Sequence, residues 1–178
     1  MLRVYETIVA AARQKRFYAQ FQVPDIALGR YEMVSLHVFL VLHRMRGGNQ
    51  GLKDLAQRIT DEFFKDVDHS LRELGIGDQT VPKRIKKLAR MFYGRVNAYS
   101  IALDADDGGA LAQALTRNIR PDLEIWPSAR HLSAYMLLAR DHLAAIGDEA
   151  LIAGEISFID ADRFDIEQDM TEKVQEND

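Results

Sequence analysis

The sequence predicts an all-α, single-domain bundle of six or seven helices that includes a long antiparallel hairpin. Apolar residues recur at the spacing of one helix face along nearly the whole chain, and no segment alternates long enough to indicate a strand. The 178 residues are 47% hydrophobic and 28% charged, which excludes collagen-like and wholly disordered classes. The chain has no cysteine, so disulfides and thiolate chemistry are excluded as well.

The first part of the chain predicts two helices separated by an extended break. One helix covers about residues 2–20, and Pro24 then disfavours helical backbone at Val23. The second helix covers about residues 30–46 and is apolar nearly all round from 33 to 42, which is typical of a central helix in a bundle. That apolar run of about ten residues is too short to cross a membrane.

Two long amphipathic helices follow, over about residues 51–74 and 81–104, and each carries one continuous apolar stripe. Gly75 supplies the left-handed residue that ends the first of them. Thr80 and Pro82 are typical of the start of the next helix. A connection this short predicts that the two helices form an antiparallel hairpin.

Three shorter helices are predicted over about residues 109–119, 128–146 and 148–153, the second of them capped by Ser128. Residues 155–178 contain nine acidic and two basic residues, which is a formal charge of −7. Because the whole chain has a formal charge of −4, residues 1–154 carry +3. We therefore expect a mildly basic helical domain, 1–154, followed by an acidic and mobile tail, 155–178.

Charge is segregated between the two helices of the hairpin, and this defines the candidate binding residues. The first helix carries acidic candidates and the second carries basic candidates opposite its apolar stripe: Asp61, Asp66, Asp68 and Glu73, and Lys83, Lys86, Lys87 and Arg90. One interpretation is a solvated basic face partly neutralised by its acidic neighbour. The other is a surface for an anionic partner such as lipid head groups, RNA or an acidic protein.

Catalytic and metal-binding patterns are weak in this sequence. Glu62, Asp66 and His69 share a helix face, but bundle di-iron proteins use an inward Glu-x-x-His motif on two helices and no second such motif exists. No serine, histidine and acidic residue occur at a spacing typical of a catalytic triad. Isolated histidines beside an apolar stripe are usually structural. The residues predict a non-catalytic binding or scaffolding domain without metal or other cofactor.

One long block of the chain resembles the ubiquinol-cytochrome c chaperone family. The block runs from Phe64 through the sequence Glu-Leu-Gly-Ile-Gly-Asp at 73–78 to the basic run 83–90 and on to Arg95. The upstream sequences Val-Pro-Asp at 23–25 and Gly-Arg-Tyr at 29–31, with Leu36-His37 and 40–46, add to the resemblance. It covers about residues 1–150 and leaves out the acidic tail.

This resemblance implies an assembly factor for the ubiquinol-cytochrome c reductase of a respiratory chain. Such proteins are not enzymes; they bind newly made cytochrome b until the haem is inserted and the apoprotein joins the complex. The resemblance also raises the question of a small partner protein, which the sequence leaves open. Since no presequence is evident, we expect a bacterial version, cytoplasmic and peripheral to the inner membrane.

The charge pattern is compatible with such a client. A polytopic membrane protein exposes apolar helices and basic cytoplasmic loops, so its holder needs an apolar groove, an acidic strip and a basic face toward anionic lipid. The alternatives are an RNA- or ribosome-binding module that uses the basic helix 81–95, and a metal-dependent enzyme built on Glu62, Asp66 and His69. We expect no DNA partner.

Overall fold

The computed structural model describes residues 3–163, and every regular element in that range is helical. This confirms the all-α prediction. There are eight α-helices in this range and a final 3-10 turn: α1 (Arg3–Ala12), α2 (Lys15–Ala19), α3 (Ala27–Met45), α4 (Gln50–Glu73), α5 (Val81–Asp104), α6 (Gly108–Ile119), α7 (Ala129–Ala144), α8 (Asp148–Ile152) and the turn Ala161–Arg163.

Helix α3 is the central helix, as its nearly continuous apolar sequence predicts. It packs against α1, α4, α5, α6 and α7. Every residue from Leu36 to Val41 is at most 2% exposed. Burial on all sides explains why the usual polar face of a helix is missing from this stretch.

The connection between α6 and α7 is hydrogen-bonded to the segment that follows α2. Trp126, which is 3% exposed, donates a hydrogen bond from its indole nitrogen to the Phe21 carbonyl oxygen over 3.0 Å. Arg120 reaches the same segment with a 3.1 Å bond to the Gln22 carbonyl oxygen. These bonds supply partners for backbone groups that no helix satisfies.

The single helix predicted over residues 2–20 is wrong, because the chain breaks between α1 and α2 at Arg13 and Gln14. The Gln14 side chain donates to the Ile159 carbonyl oxygen over 3.4 Å and accepts from the Ala161 backbone N–H over 2.6 Å. Contacts with a segment about 145 residues away stabilise this break, so local apolar spacing could not indicate it.

The start of the predicted tail lies against this break. Ile156, Phe158 and Ile159 pack on the core, and Ala161 is completely buried. The acidic tail was predicted to be mobile over residues 155–178; its residues 164–178 lie outside the described residues, and the division of the chain at residue 155 stays a prediction.

The hairpin of α4 and α5 forms as predicted, with boundaries within one residue of those expected. Gly75 has φ +77°, and the Ile76 N–H folds back to the Leu71 carbonyl oxygen over 3.2 Å. Each helix has 24 residues and is therefore about 36 Å long. Asn49 caps α4 with its side chain, whereas Thr80 makes no side-chain cap bond to α5.

The capping bond expected of Ser128 at the start of α7 is also missing, because its backbone is already helical (φ −71°, ψ −7°).

A close backbone contact lies at the start of α3. A Cβ atom at Gly29 would lie 1.9 Å from the Pro24 carbonyl oxygen, so the loop 23–25 passes directly over the first turn of α3. Only glycine leaves room for that contact.

Candidate functional site

The acidic candidates on α4 are placed by contacts along that helix and with α1. Asp61 is exposed and accepts a hydrogen bond from Gln57 over 2.7 Å. Asp68 pairs with Arg72 over 2.7 Å, and this guanidinium lowers the pKa of the Asp68 carboxyl. Glu73 lies 3.2 Å from His69.

Asp66 joins α4 to α1. It is half-buried and accepts a 2.8 Å hydrogen bond from the Tyr5 hydroxyl, a side chain that is completely buried. Burial, followed by the bond to Asp66, raises the pKa of Tyr5, so the hydroxyl stays protonated and donates. Asp66 is therefore both part of the acidic surface and a structural link.

The basic candidates Lys83, Lys86, Lys87 and Arg90 are all exposed on α5. Within residues 3–163, no ion pair involves them, and none joins an acidic residue of α4 to a basic residue of α5. The basic residues thus form a solvated face without direct ion pairs to α4, and their role in binding a partner stays a prediction. The two helices present separate acidic and basic surfaces to the solvent.

An apolar groove lies next to these surfaces. It has a volume of about 470 Å³ and is bounded by Tyr18, the first turns of α3, the C-terminal half of α4 and Leu88 of α5. Leu28 is 49% exposed and Leu74 is 62% exposed at its edges. Apolar side chains form its floor, namely Tyr31, Val34, Phe63, Val67 and Leu71. Charged side chains lie on its rim, namely Arg13, Arg30, Asp66 and Glu73.

Tyr31 holds the wall of this groove in position. Its hydroxyl donates to the Leu88 carbonyl oxygen over 2.8 Å, and its ring stacks on Phe63 with the centroids 5.9 Å apart. This contact joins α3 to the part of α5 that carries the basic face. Burial raises the pKa of Tyr31 to about 12, so the donor proton is retained at neutral pH.

Of the residues singled out from the sequence, the described part of the structure places only Asp66 and Glu73 on the rim of this groove, and the sequence did not indicate the apolar floor. Leu71 and Leu74 continue the apolar stripe of α4, and the spacing predicts that they are core residues. In the structure Leu71 is half-buried and Leu74 is exposed. One feature of the sequence could have indicated that these two leucines are not covered. Charged residues are dense on α4 and α5 from residue 65 onward, which leaves little apolar surface for another helix to pack against.

A buried ion pair between α3 and α5 was not predicted. Arg95 Nη2 lies 2.6 Å from Glu32 Oε1, with the two side chains 10% and 3% exposed. Burial raises the pKa of Glu32 to about 7, although Arg95 acts in the opposite direction. Two further buried atoms here, Ser35 Oγ and Arg95 Nε, have no hydrogen-bond partner among the described residues.

Of the two histidines in α3, His37 is structural, as predicted. His37 is completely buried, with Nδ1 2.8 Å from the Met33 carbonyl oxygen and Nε2 2.9 Å from the Tyr135 hydroxyl. A carbonyl can only accept, so Nδ1 carries the proton and Nε2 accepts from Tyr135. Burial lowers the pKa of His37 to about 4, which keeps the ring neutral.

The residues considered for a metal site have separate partners. Glu62 lies 3.8 Å from Lys65, Asp66 is bonded to Tyr5, and His69 lies beside Glu73. Across residues 3–163, no group of three histidine or acidic side chains is close enough to hold a metal ion. No helix in that part of the chain is long and apolar enough to cross a membrane.

The fold identifies the class of protein. The chain superposes on the crystal structure of the Cbp3 homolog from Brucella abortus with a TM-score of 0.87 and 74% sequence identity, over 92% of this chain and 91% of that one. It therefore shares an all-helical fold with a Cbp3 homolog. The family profile described as ubiquinol-cytochrome C chaperone matches residues 19–158, and the chain belongs to that family.

Curated relatives carry a related name. Ubiquinol-cytochrome c reductase complex assembly factor 1 of Homo sapiens is 26% identical over 161 residues, which is 88% of this chain and 53% of that protein. The Xenopus laevis protein of the same name is 26% identical over 118 residues, or 66% of this chain and 58% of that protein. The chain thus spans about half the length of these curated relatives.

Proposed function

We propose that this chain is a non-catalytic assembly factor for ubiquinol-cytochrome c reductase that binds newly made cytochrome b at a membrane surface. Membership of the ubiquinol-cytochrome c chaperone family supports the process, and so do relatives named as assembly factors of that complex. Cytochrome b as the client, and a position on the cytoplasmic side of a bacterial inner membrane, follow from the resemblance and the charge pattern.

The observation that carries this proposal is the apolar groove and its charged rim. Asp66 and Glu73 lie on the rim together with Arg13 and Arg30, and Leu88 connects the groove to the helix that carries the basic face. A membrane protein before assembly exposes apolar helices next to loops rich in lysine and arginine. The groove would receive the apolar side chains while Asp66 and Glu73 on its rim pair with the basic loop.

The basic face supplies the contact with the membrane. Each lysine or arginine near an anionic bilayer contributes about 1 kcal/mol. Lys83, Lys86, Lys87 and Arg90 are all exposed, so together they supply roughly 4 kcal/mol, which corresponds to about a thousandfold in affinity.

Charge reversal tests the membrane contact. We expect the variant with Lys83, Lys86, Lys87 and Arg90 changed to Glu to lose binding to vesicles of phosphatidylcholine and phosphatidylglycerol, with unchanged helix content by circular dichroism. The matched control reverses four exposed bases elsewhere, Lys53, Arg58, Arg117 and Arg130. Equal vesicle binding by the two variants would reject the assignment.

Client capture is tested separately at the groove. We expect Leu74→Asp to reduce the capture of cytochrome b made by cell-free translation, while vesicle binding stays as in the wild type. Ile101→Asp is the matched control, since Ile101 is similarly exposed (64%) but lies outside the groove. Full capture by the Leu74 variant would exclude the groove as the client site.

The second candidate is an RNA- or ribosome-binding module. Tyr93 favours it, because this ring is 58% exposed and follows Arg90 by three residues on the same helix, where it could stack on a base. The sequence pattern did not single out Tyr93 as exposed. Binding to RNA should fall more steeply with salt than binding to anionic vesicles, so a salt titration of both separates the candidates.

A further inference from the structure

The exposed side of α5 extends well beyond its basic residues. Exposed positions recur at steps of one, three and four residues along this helix, which places them on one side of it. Together they form the outer face of α5: Lys83, Lys86, Lys87, Arg90, Tyr93, Gly94, Asn97 and Ile101. The rise of a helix makes this face about 27 Å long.

The two halves of the outer face differ in chemistry. The N-terminal half carries the four bases, and within residues 3–163 none of them forms an ion pair. The C-terminal half carries no base and presents two large apolar side chains, Tyr93 at 58% exposure and Ile101 at 64%. Uncovered side chains of this size raise the question of what they contact.

The one acidic residue of α5 does not repel an anion from this face. Asp104 lies at the C-terminal end of the helix, 3.0 Å from His43 and 2.8 Å from Arg46. The bond to Arg46 lowers the pKa of the Asp104 carboxyl, so the pair stays ionised and its charges offset each other. The outer face is therefore basic at one end and uncharged at the other.

Tyr93 and Ile101 suit the boundary layer of a bilayer. The Tyr93 ring packs edge-on against the buried Phe92 ring, with the centroids 5.4 Å apart, and the rest of it is open to solvent. Tyrosine combines an apolar ring with a polar hydroxyl and is enriched at the level of lipid headgroups. An isoleucine gains free energy by leaving water for the edge of the hydrocarbon.

RNA accounts for less of the outer face than a bilayer does. The bases could contact phosphates of either partner, and Tyr93 could stack on a nucleotide base. Ile101 has no aromatic ring to stack and no charge for a phosphate. An anionic bilayer uses all three chemistries at once, since phosphates attract the bases while the interface receives the ring and the aliphatic side chain.

We propose that α5 lies flat on an anionic bilayer along its outer face, with the four bases at lipid phosphates and with Tyr93 and Ile101 inserted among the headgroups. This inference rests on the membrane contact of the proposed function and adds two anchoring residues and an orientation to it. The flexible stems of the lysines let their charges stay at the phosphates while the backbone lies close to the surface.

The orientation follows from the helix repeat. Leu88 lines the groove, whereas Arg90 lies on the outer face. Because each residue turns an α-helix by about 100°, these two side chains point about 160° apart around α5. The groove therefore lies on the other side of α5 from the bilayer, and attachment to the membrane leaves it free to bind a client.

Truncation of the anchors tests the insertion. We expect Tyr93→Ser and Ile101→Ser each to bind vesicles of phosphatidylcholine and phosphatidylglycerol about tenfold more weakly than the wild type, because an apolar side chain no longer leaves water. Tyr93→Trp should retain full binding. The matched control is Ile125→Ser, since Ile125 is 78% exposed in the connection between α6 and α7.

The control should bind vesicles as the wild type does, and urea denaturation should show that all these variants are as stable as the wild type. Equal vesicle affinity of Ile101→Ser and Ile125→Ser would overturn the insertion. If neither anchor variant loses vesicle affinity while Tyr93→Ser binds transfer RNA about tenfold more weakly, the outer face belongs to RNA and the proposal is rejected.

The lack of native cysteines allows a test of the orientation with one label at a time. Asn97→Cys places a nitrobenzoxadiazole label on the outer face, and Ser70→Cys places it in the groove; both positions are exposed. On vesicles, the label at 97 should shift its emission to shorter wavelength and be quenched by lipids that carry a nitroxide. Quenching at 70 equal to or stronger than at 97 would overturn the orientation.

Failure of the insertion and failure of the proposed function give different results. If reversal of the four bases abolishes vesicle binding but truncation of Tyr93 and Ile101 does not weaken it, the membrane contact stands and the insertion is rejected. If the wild type binds vesicles no better than the charge-reversed variant, both are rejected. Capture of cytochrome b without vesicles tests the client independently of either result.

Discussion

The base and the tip of the hairpin differ in what covers the same apolar stripe. At the base, defined as residues 50–63 and 92–104, Leu52, Leu55 and Ile59 are at most 4% exposed. At the tip, defined as residues 64–91, Leu71 is half-buried and Leu74 is 62% exposed. The spacing is continuous through both parts, so periodicity shows which side of a helix is apolar but not whether another helix covers it.

The largest expected effect lies where the base of the hairpin meets α3. Arg95→Met should lower the free energy of unfolding by about 3–5 kcal/mol, because Glu32 is left buried without its partner. Urea denaturation at pH 8 measures this change. The double change Glu32→Gln with Arg95→Met should recover most of the loss, and equal destabilisation of the single and double variants would contradict this interpretation.

Paired truncations measure the difference between base and tip directly. Ile59→Ala should cost about 2–5 kcal/mol, as expected for a completely buried side chain. Leu74→Ala should change stability by only about 0.5 kcal/mol, since that side chain is mostly exposed. Similar losses of unfolding free energy in the two variants would contradict this expectation. They would mean that Leu74 is already buried in solution without a client.

The buried carboxyl at the base predicts a pH dependence. The pKa of Glu32 in the folded protein is about 7, above its ordinary value of 4.5, so the folded state binds this proton more tightly than the unfolded chain. Its contribution is complete below pH 4.5 and is lost as the pH rises toward 7. The total change is at most about 3 kcal/mol, at 1.36 kcal/mol per pKa unit.

His37 acts in the opposite direction over an overlapping range, because its folded-state pKa of about 4 lies below 6.5 and its contribution is lost as the pH falls. Comparison of the wild type with Glu32→Gln isolates the carboxyl, since His37 is present in both. The stability difference between them should vary from pH 4.5 to 7. If the stability difference between the two proteins is constant with pH, Glu32 is not the source of the pH dependence.

The smallest expected effect compares the helix starts at base and tip. Asn49 accepts a 3.1 Å hydrogen bond from the Leu52 N–H at the base, so Asn49→Ala should cost about 1 kcal/mol. Thr80 makes no side-chain cap bond at the tip, and Thr80→Ala should be close to neutral. Thermal unfolding of both variants checks this, and a larger effect at Thr80 would mean that its cap bond forms in solution.

Local signals were sufficient for most helix boundaries. The limits of α5 match the prediction, because Thr80, Val81 and Pro82 mark a start that depends on neighbouring residues alone. The break at Gln14 could not be predicted, since its partners Ile159 and Ala161 are distant in sequence. Tertiary contacts override local preference there.

The charged faces of α4 and α5 were predictable, whereas the shape of the groove and the two arginines on its rim were not. Lys83, Lys86, Lys87 and Arg90 share one helix side, which the 3.6-residue repeat alone determines. The groove depends on where α3 begins, and the close passage of the Pro24 carbonyl over Gly29 sets that position. Glu32 and Arg95 are 63 residues apart, so nothing in the local pattern pairs them.

Trp126 is the one tryptophan of the chain, and it lies in the bonded connection between α6 and α7. It is absent from the lining of the groove, where Tyr18 and Tyr31 are the aromatic side chains at its mouth and wall. Intrinsic tryptophan emission should therefore change when the protein unfolds and stay constant when a ligand fills the groove. A fluorophore placed at Ser70 would report occupancy instead, so both events can be followed in one sample.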